Sequence, residues 1–440
     1  MIATVAPLVA ELETWAERHG PITIGLAGAG QMGTDILVQI KMMRGLRVGA
    51  ISDIRPESVF EAAKLVGLQS QDIVRAASAS SVDGAIEQGK LAFVEDAGIM
   101  TEAGRVHVLI DATGNPSTGA DLALRCIRNS KPVVMLNVEA DVTIGRYLRE
   151  EARRHDVVYT GAAGDEPAAA LEIIGFAQSL GLEIVAAGKG KNNPLKFDAV
   201  PADYEAEARR RNMSPRMLVE FVDGSKTMIE MVAVANATGL EPDKPGMHGP
   251  KAKVSELAQV LIPRADGGIL SKRGCVDYSI GEGVAPGVFC IVETRHPRVL
   301  ERMSDLKVGK GPFFTLHRPF HLTSLEVPLT AARAVLHRRP DIEPMDRPVA
   351  EAIAVAKRDL QTGERLGKIG ESDYRGWAVT WREARQSNAL PIGLAEGAKI
   401  LQPVQAGRYL TYENSAPDEA LTLTRIRAKL DEADKSFLIS

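Results

Sequence analysis

The stretch Ile22–Gly33, ITIGLAGAGQMG, constrains this chain more than any other. ITIGLAG is short and nearly all apolar, so it reads as a buried strand, and Gly28, Gly30 and Gly33 behind it open a segment with helical spacing. In a GxGxxG so placed, the first glycine permits a tight turn and the second lets a pyrophosphate approach the backbone. The third lets helix lie against strand, while the helix start through Gln31 and Met32 offers N–H donors and a positive dipole end. A second strand is predicted at Arg47–Asp53, which sets Asp53 20 residues beyond Gly33, where the dinucleotide fingerprint requires an acid. An acid there bonds the ribose 2′-hydroxyl and favours NAD. Arg55 suits the 2′-phosphate of NADP, or is simply an exposed cation at a helix start.

Further apolar strands are predicted at Val106–Gly114 and Lys131–Asn137. The helical patterns EAAKLVG, DIVRAA and DGAIEQG and the run LAFVED fall before them. Strands alternating with helices at this spacing predict an α/β, doubly wound parallel sheet of the Rossmann type over residues 1–160. DATGNPSTG follows a strand end, so Thr113, Gly114 and Asn115 are expected on the nicotinamide side, the other reading being a capped turn. An amino-terminal helix is expected over residues 3–19, ending at Gly20-Pro21.

Past residue 160 the pattern changes. A helix at Pro167–Leu180, a strand at Leu182–Ala187, a polar helix DYEAEARRRNM, a helix from Thr227 and strand-like periodicity over Val276–Thr323 predict an α+β substrate and dimerisation domain over 161–345. Short strands and glycine turns over 346–440 predict a small, mainly β module.

With 440 residues, 45% hydrophobic and 25% charged, the chain has core material for two or three domains. Its net charge of −4 provides no global field for nucleic acid or anionic lipid, so neither is an expected partner. Cys126, Cys275 and Cys290 show no CxxC spacing and read as buried thiols in a reducing compartment. No cationic segment precedes the first apolar patch and no run reaches membrane-spanning length, so a cytoplasmic protein is expected.

Four clusters beyond the nucleotide segment can carry chemistry. In GAAGDEP, Asp165 and Glu166 stand at a helix start; they cap the helix, or carry a proton, or ligate a hard cation such as Mg²⁺ or Mn²⁺. In AAGKGKNNPLKFD, Lys189 and Lys191 with Asn192 and Asn193 form either a solvated basic turn or a clamp for a phosphate, carboxylate or reacting oxygen. In FVDGSKTMIEM, Ser225, Lys226 and Thr227 open a helix, as an anion site or as an ordinary cap with Ser225 at the N-cap. Glu230 and Asn236 in that apolar helix face either the site or solvent. In LHRPFHL, His317, Arg318 and His321 read more readily as structural groups than as catalysts.

The order GLAGAGQMG, DATGNP, KPVVMLNVEADV, GDEP, GKGKNNP, DGSK and PIGL resembles homoserine-dehydrogenase-like oxidoreductases with a carboxyl-terminal SAF domain. Within them it is most similar to the reductoisomerase-like type that acts on 1-deoxy-D-xylulose 5-phosphate in the methylerythritol phosphate route to isoprenoids. The resemblance implies a homodimer that uses NADPH and a divalent metal on Asp165 and Glu166, after a retroaldol and aldol rearrangement. Lys189, Lys191, Asn192, Ser225 and Lys226 would then hold the phosphate and the developing oxyanion. A plain homoserine dehydrogenase carries a lysine after the strand that here reads VVMLN. This chain has Asn137, Glu139 and Asp141 there, so Lys189 or Lys191 would supply the missing cation and Asn137 and Glu139 would line the substrate. Two other readings are a dehydrogenase of a small aldehyde or semialdehyde, and a non-catalytic nucleotide- or sugar-binding protein acting through the tail.

Overall fold

The computed structural model describes residues 6–211 and 213–439, the last two of these by backbone alone. The chain forms two compact units. One holds residues up to Asp165 with Leu322–Glu343; the other holds Glu166–His321 with residues from Pro344 onward.

In the first unit, β1 (Ile22–Ala27), β2 (Leu46–Ser52), β3 (Ile73–Arg75), β4 (Leu91–Val94), β5 (Val108–Asp111), β6 (Val133–Met135) and β7 (Tyr159–Gly161) make one sheet. Its order is β3-β4-β2-β1-β5-β6-β7, with every pairing parallel. All six residues of β1 are buried, as a parallel strand covered on both faces requires. This is the doubly wound α/β sheet expected. Strand order runs outward in both directions from β1 and β5, so the carboxyl ends of these two strands flank the crevice where such sheets take ligands. The returning segment adds the helix Val327–Leu336, whose Val327, Ala331 and Ala332 join Ile24, Leu26 and Ile110 in the core.

The second unit is built on a mixed sheet of β8 (Glu183–Gly190), β9 (Glu241–Pro242), β10 (Cys275–Ser279), β11 (Val288–Glu293) and β12 (Phe313–Arg318). The order is β12-β11-β8-β10-β9, and central β8 runs parallel to β10 and antiparallel to β11. The helices Glu166–Ser179 and Ser225–Thr238 pack on this sheet. From Pro344 the chain adds the antiparallel hairpin β13 (Ala350–Ala356) and β14 (Tyr374–Thr380), then the short pair β15 (Lys399–Ile400) and β16 (Ser415–Ala416). Asn236 fastens the hairpin to the helix Ser225–Thr238. Its Oδ1 accepts from the N–H groups of Val349 and Ala350 at 2.9 and 3.0 Å, and its Nδ2 donates to the Ala350 carbonyl at 3.1 Å. It therefore faces neither substrate nor solvent.

Several local expectations are corrected. DIVRAA contains β3 rather than a helix, because a run so short has no period to separate the two. The region Val276–Thr323 includes a helix, Pro297–Asp305, started by a proline in its first turn. The tail carries the helices Trp381–Gln386, Thr422–Ala433 and Lys435–Ile439 beside its strands. The polar segment is a 3₁₀ turn, Pro201–Tyr204, and a helix, Glu205–Arg210; Asn212 lies outside the described residues. The first helix runs Pro7–His19, and residues 3–5 of its expected span also lie outside them. Among the described residues, no helix is long and apolar enough to cross a membrane. The three cysteines are buried free thiols, and burial pushes those of Cys275 and Cys290 up to about 12.

Candidate active site

At the end of β1 the chain turns through Gly28 with φ +101°, where a Cβ would lie 2.5 Å from the Ala112 carbonyl oxygen. A Cβ at Gly33 would lie 1.9 Å from the Gly28 oxygen, so both positions demand glycine. Gly30 is the N-cap of the helix Gln31–Met42, which has no side-chain cap, so its leading N–H groups keep an anion-binding geometry. Asp53 stands just past β2. Its Oδ2 accepts from the Ala29 N–H and its Oδ1 from the Arg55 N–H, each at 2.8 Å. The acid thereby ties the glycine turn to the next strand. Arg55 is exposed, at the N-cap of the helix Pro56–Leu65.

After β5, the Thr113 hydroxyl donates to Asp111 Oδ1 at 2.6 Å. Burial pushes the Asp111 carboxyl up, against the pull of the Thr113 hydrogen bonds. Gly114 follows with φ +64°. Asn115 caps the helix Pro116–Arg128, its Oδ1 accepting from the Thr118 N–H at 2.9 Å. Asn137 caps the helix Val138–Arg154 and donates from Nδ2 to the Asn115 carbonyl at 2.7 Å. Asn137 and Glu139, both buried, thus stand in the nucleotide unit at the end of β6.

In the second unit, β8 continues past Ala187 to Gly190, so Lys189 sits on a central strand and not on a loop. Its side chain is 5% exposed. The ammonium donates to Glu166 Oε1 at 2.5 Å and to Glu230 Oε2. Glu166 opens the helix Glu166–Ser179, Glu230 comes from the helix Ser225–Thr238, and the central strand brings the lysine between them. Burial works against the Lys189 charge, but the Glu166 and Glu230 carboxylates outweigh it and hold the amine above the ordinary lysine value. Among the described residues these two carboxylates are its partners, which leaves the third N–H of the ammonium for another oxygen. His321 Nε2 lies 3.4 Å from Glu166 Oε1, and Lys226 Nζ lies 3.9 Å from Glu230 Oε1.

Lys191, one position past β8, is also buried, and its Nζ donates to the Phe221 carbonyl at 2.7 Å. Burial, and then the Lys189 charge, lower it to about 8. Asn192 is exposed and Asn193 half-buried on the turn that follows.

Ser225 is not the N-cap of its helix; Gly224 is, with φ +88°. The buried Ser225 hydroxyl oxygen accepts from the Gly376 N–H at 2.8 Å, Thr227 is buried too, and Lys226 alone of the three is half-exposed. Of the last cluster, His321 reaches the lysine site through Glu166. Arg318 instead pairs through Nη1 with Glu172 Oε2 at 2.7 Å, which commits it to the flank of the helix Glu166–Ser179. His317 faces the Val284 carbonyl at 3.4 Å. The groups that sequence reasoning left unassigned are Glu230, recognisable only as a charge in an apolar helix, and His321.

Residues 164–327 match the family model described as Oxidoreductase DRL, catalytic domain. No curated protein matches the chain. Among solved structures, a probable dehydrogenase from Thermotoga maritima is similar over 72% of this chain and 90% of that one, at 16% identity and TM-score 0.42. The match to the apo scyllo-inositol dehydrogenase from Lactobacillus casei covers 73% of this chain and 89% of that one, at 12% identity and TM-score 0.40. For the 1-deoxy-D-xylulose 5-phosphate reductoisomerase from Zymomonas mobilis, solved with NADPH, the shares are 49% and 57%, at 16% identity and TM-score 0.35. None of these values reaches the level at which a structural likeness transfers chemistry.

Proposed function

We propose that the protein is an NAD(P)-dependent dehydrogenase of a small anionic carbonyl compound or its alcohol, with Lys189 as the group that meets the reacting oxygen. The observation that carries this reading is the buried Lys189 ammonium, held by Glu166 and Glu230 with one N–H left over. A charged donor fixed in a dry site stabilises the negative charge that develops on a carbonyl oxygen as hydride arrives. The two carboxylates keep it protonated and aimed. Bound on the glycine turn through Gly28, Gly30 and Gly33, a nicotinamide cofactor supplies or accepts the hydride. Lys191, Asn192 and Lys226 hold the anionic end of the substrate, and His321 steadies Glu166.

Incubation with aspartate semialdehyde and with 1-deoxy-D-xylulose 5-phosphate, each with NADH and NADPH, tests the reading. Reduced cofactor is consumed with the semialdehyde under this proposal, with or without chelator. A reductoisomerase is the second reading, favoured by one observation: carboxylate oxygens of Glu166 and Glu230 lie within 4.8 Å of one another, a hard-cation donor pair, and Asp165 directly precedes Glu166. A bound Mg²⁺ or Mn²⁺ would supply charge stabilisation for an enolate, and Glu166 and Glu230 with Asp165 would hold it. That reading predicts turnover of the sugar phosphate that a chelator abolishes, and it keeps residues 346–440 as an SAF-type module on the PIGL motif.

Cofactor choice falls to Asp53 and Arg55. A carboxylate beside the ribose accepts from a 2′-hydroxyl and repels a 2′-phosphate. Asp53→Asn is expected to lower the preference for NADH over NADPH about tenfold, and Arg55→Ala to weaken NADPH alone, read as Kd values by cofactor fluorescence.

The lowered value of Lys191 sets a pH dependence. Below about 8 the amine is charged, and the charge is lost as pH rises through that value. The KM of an anionic substrate is therefore expected to rise about tenfold between about pH 7 and 9.5, the worth of one charge-assisted hydrogen bond. Lys191→Arg should flatten that rise, whereas an unchanged profile in this variant would remove Lys191 from the anion site.

A further inference from the structure

The hairpin β13–β14 belongs to the scaffold, yet one charge at its edge reaches both segments that carry the site. Lys357 directly follows β13, and its side chain is 2% exposed. Of the three N–H donors of the ammonium, two go to backbone carbonyls, and the charge faces a buried carboxylate. Lys357 Nζ meets Asp223 Oδ2 at 2.7 Å, the Ala199 carbonyl at 2.9 Å and the Glu371 carbonyl at 2.7 Å. Ala199 ends the loop that begins at Lys191, and Asp223 begins the turn that holds Ser225 and Lys226. Loop and turn are also joined to each other, by the Lys196 N–H donating to the Val222 carbonyl at 3.0 Å.

Two further contacts of the hairpin reach the same two segments. Arg375 of β14 stacks over Phe197 of the loop at 4.2 Å and over Trp377 at 4.4 Å. The Gly376 N–H donates to Ser225 Oγ at 2.8 Å. Lys191 Nζ is aimed by the Phe221 carbonyl, which lies two residues before Asp223 at the end of the helix Pro215–Val222. Replacing a buried ion pair with apolar groups is often neutral for stability, so what this pair supplies beyond stability is geometry.

We infer that Lys357 is a positioning residue that holds the 191–199 loop and the 223–226 turn in the register that aims Lys191 and Lys226 at an anionic substrate. The inference rests on the dehydrogenase reading of the lysine site, so its test includes an arm that needs no turnover. Wild type, Lys357→Met and the double variant Asp223→Asn/Lys357→Met are compared by thermal midpoint, by amide hydrogen exchange and by KM and kcat. Lys357→Met alone leaves Asp223 buried without its cation and melts early; the double variant removes that penalty and melts near wild type. In the double variant the amides of Lys196, Ala199, Ser225 and Gly376 are expected to exchange about tenfold faster, with KM raised about tenfold and kcat changed less. Wild-type exchange at these amides overturns the inference whatever the assays give, and so does faster exchange with an unchanged KM. If wild type turns over neither carbonyl substrate, the proposed reaction fails and the exchange result alone decides the role of Lys357. Should the double variant melt early, Lys357→Arg, which keeps the charge but not the compact ammonium that meets two carbonyls and a carboxylate at one point, takes its place under the same readings.

Discussion

Lys189→Met is expected to lower turnover by about 10²-fold or more, the usual cost of removing a fixed donor from a developing oxyanion. The effect belongs to kcat, because the ammonium contributes most when negative charge appears on the reacting oxygen. Stability falls as well. Glu166 and Glu230 are left facing each other without their shared cation, at a cost of about 3–5 kcal/mol for breaking a buried pair. Adding Glu230→Gln to Lys189→Met relieves the repulsion and returns much of the stability without returning turnover. Thermal midpoints and kcat measured on the single and double variants separate the two effects. A double variant with wild-type turnover would remove Lys189 from the chemistry.

The second large effect is at the glycine turn. Gly33→Ala places a methyl 1.9 Å from the Gly28 oxygen, and the atoms it meets are backbone, so the helix start has to move away from the strand. Binding of NADH and of NADPH is expected to weaken about 10²-fold or more, because the phosphate-facing N–H groups move with the helix. Gly30→Ala is the informative comparison. A Cβ at Gly30 meets no protein atom within 4 Å, so a loss there reports the approach of the pyrophosphate and not a distorted turn. Fluorescence titration with each reduced cofactor measures both variants. Gly33→Ala with wild-type affinity would contradict the nucleotide-binding role of the turn.

The nucleotide unit is legible in the sequence because its signals are local. Gly28, Gly33 and Asp53 act through turn geometry and short spacing, and the parallel sheet announces itself as apolar runs alternating with helices. Lys189 lies on a strand where its sequence suggests a loop, for a physical reason. AAGKGK looks like a turn, but β8 is paired on both sides and the ladder carries it through the glycines. Gly188 is there for close packing: a Cβ would lie 1.6 Å from the Asp277 carbonyl oxygen of the neighbouring strand. The partners of the lysine are beyond reach of any spacing rule, since Glu230 is 41 residues away and joins it only once helix and sheet are packed. The same holds for Lys357, 158 residues from the Ala199 carbonyl it holds. Ser225 shows the opposite error: a helix-start serine suggests an anion site, whereas its hydroxyl is taken by the Gly376 backbone of the tail.

The central claim is that hydride moves between a nicotinamide and a carbonyl carbon whose oxygen Lys189 stabilises. Its most direct measurement is deuterium transfer from reduced cofactor labelled at C4 of the nicotinamide, with aspartate semialdehyde and 1-deoxy-D-xylulose 5-phosphate run in parallel. The account predicts label on the former carbonyl carbon of the semialdehyde product with wild type, and a rate lower by about 10²-fold or more with Lys189→Met. No label in either product, or equal rates of transfer by wild type and variant, would contradict it.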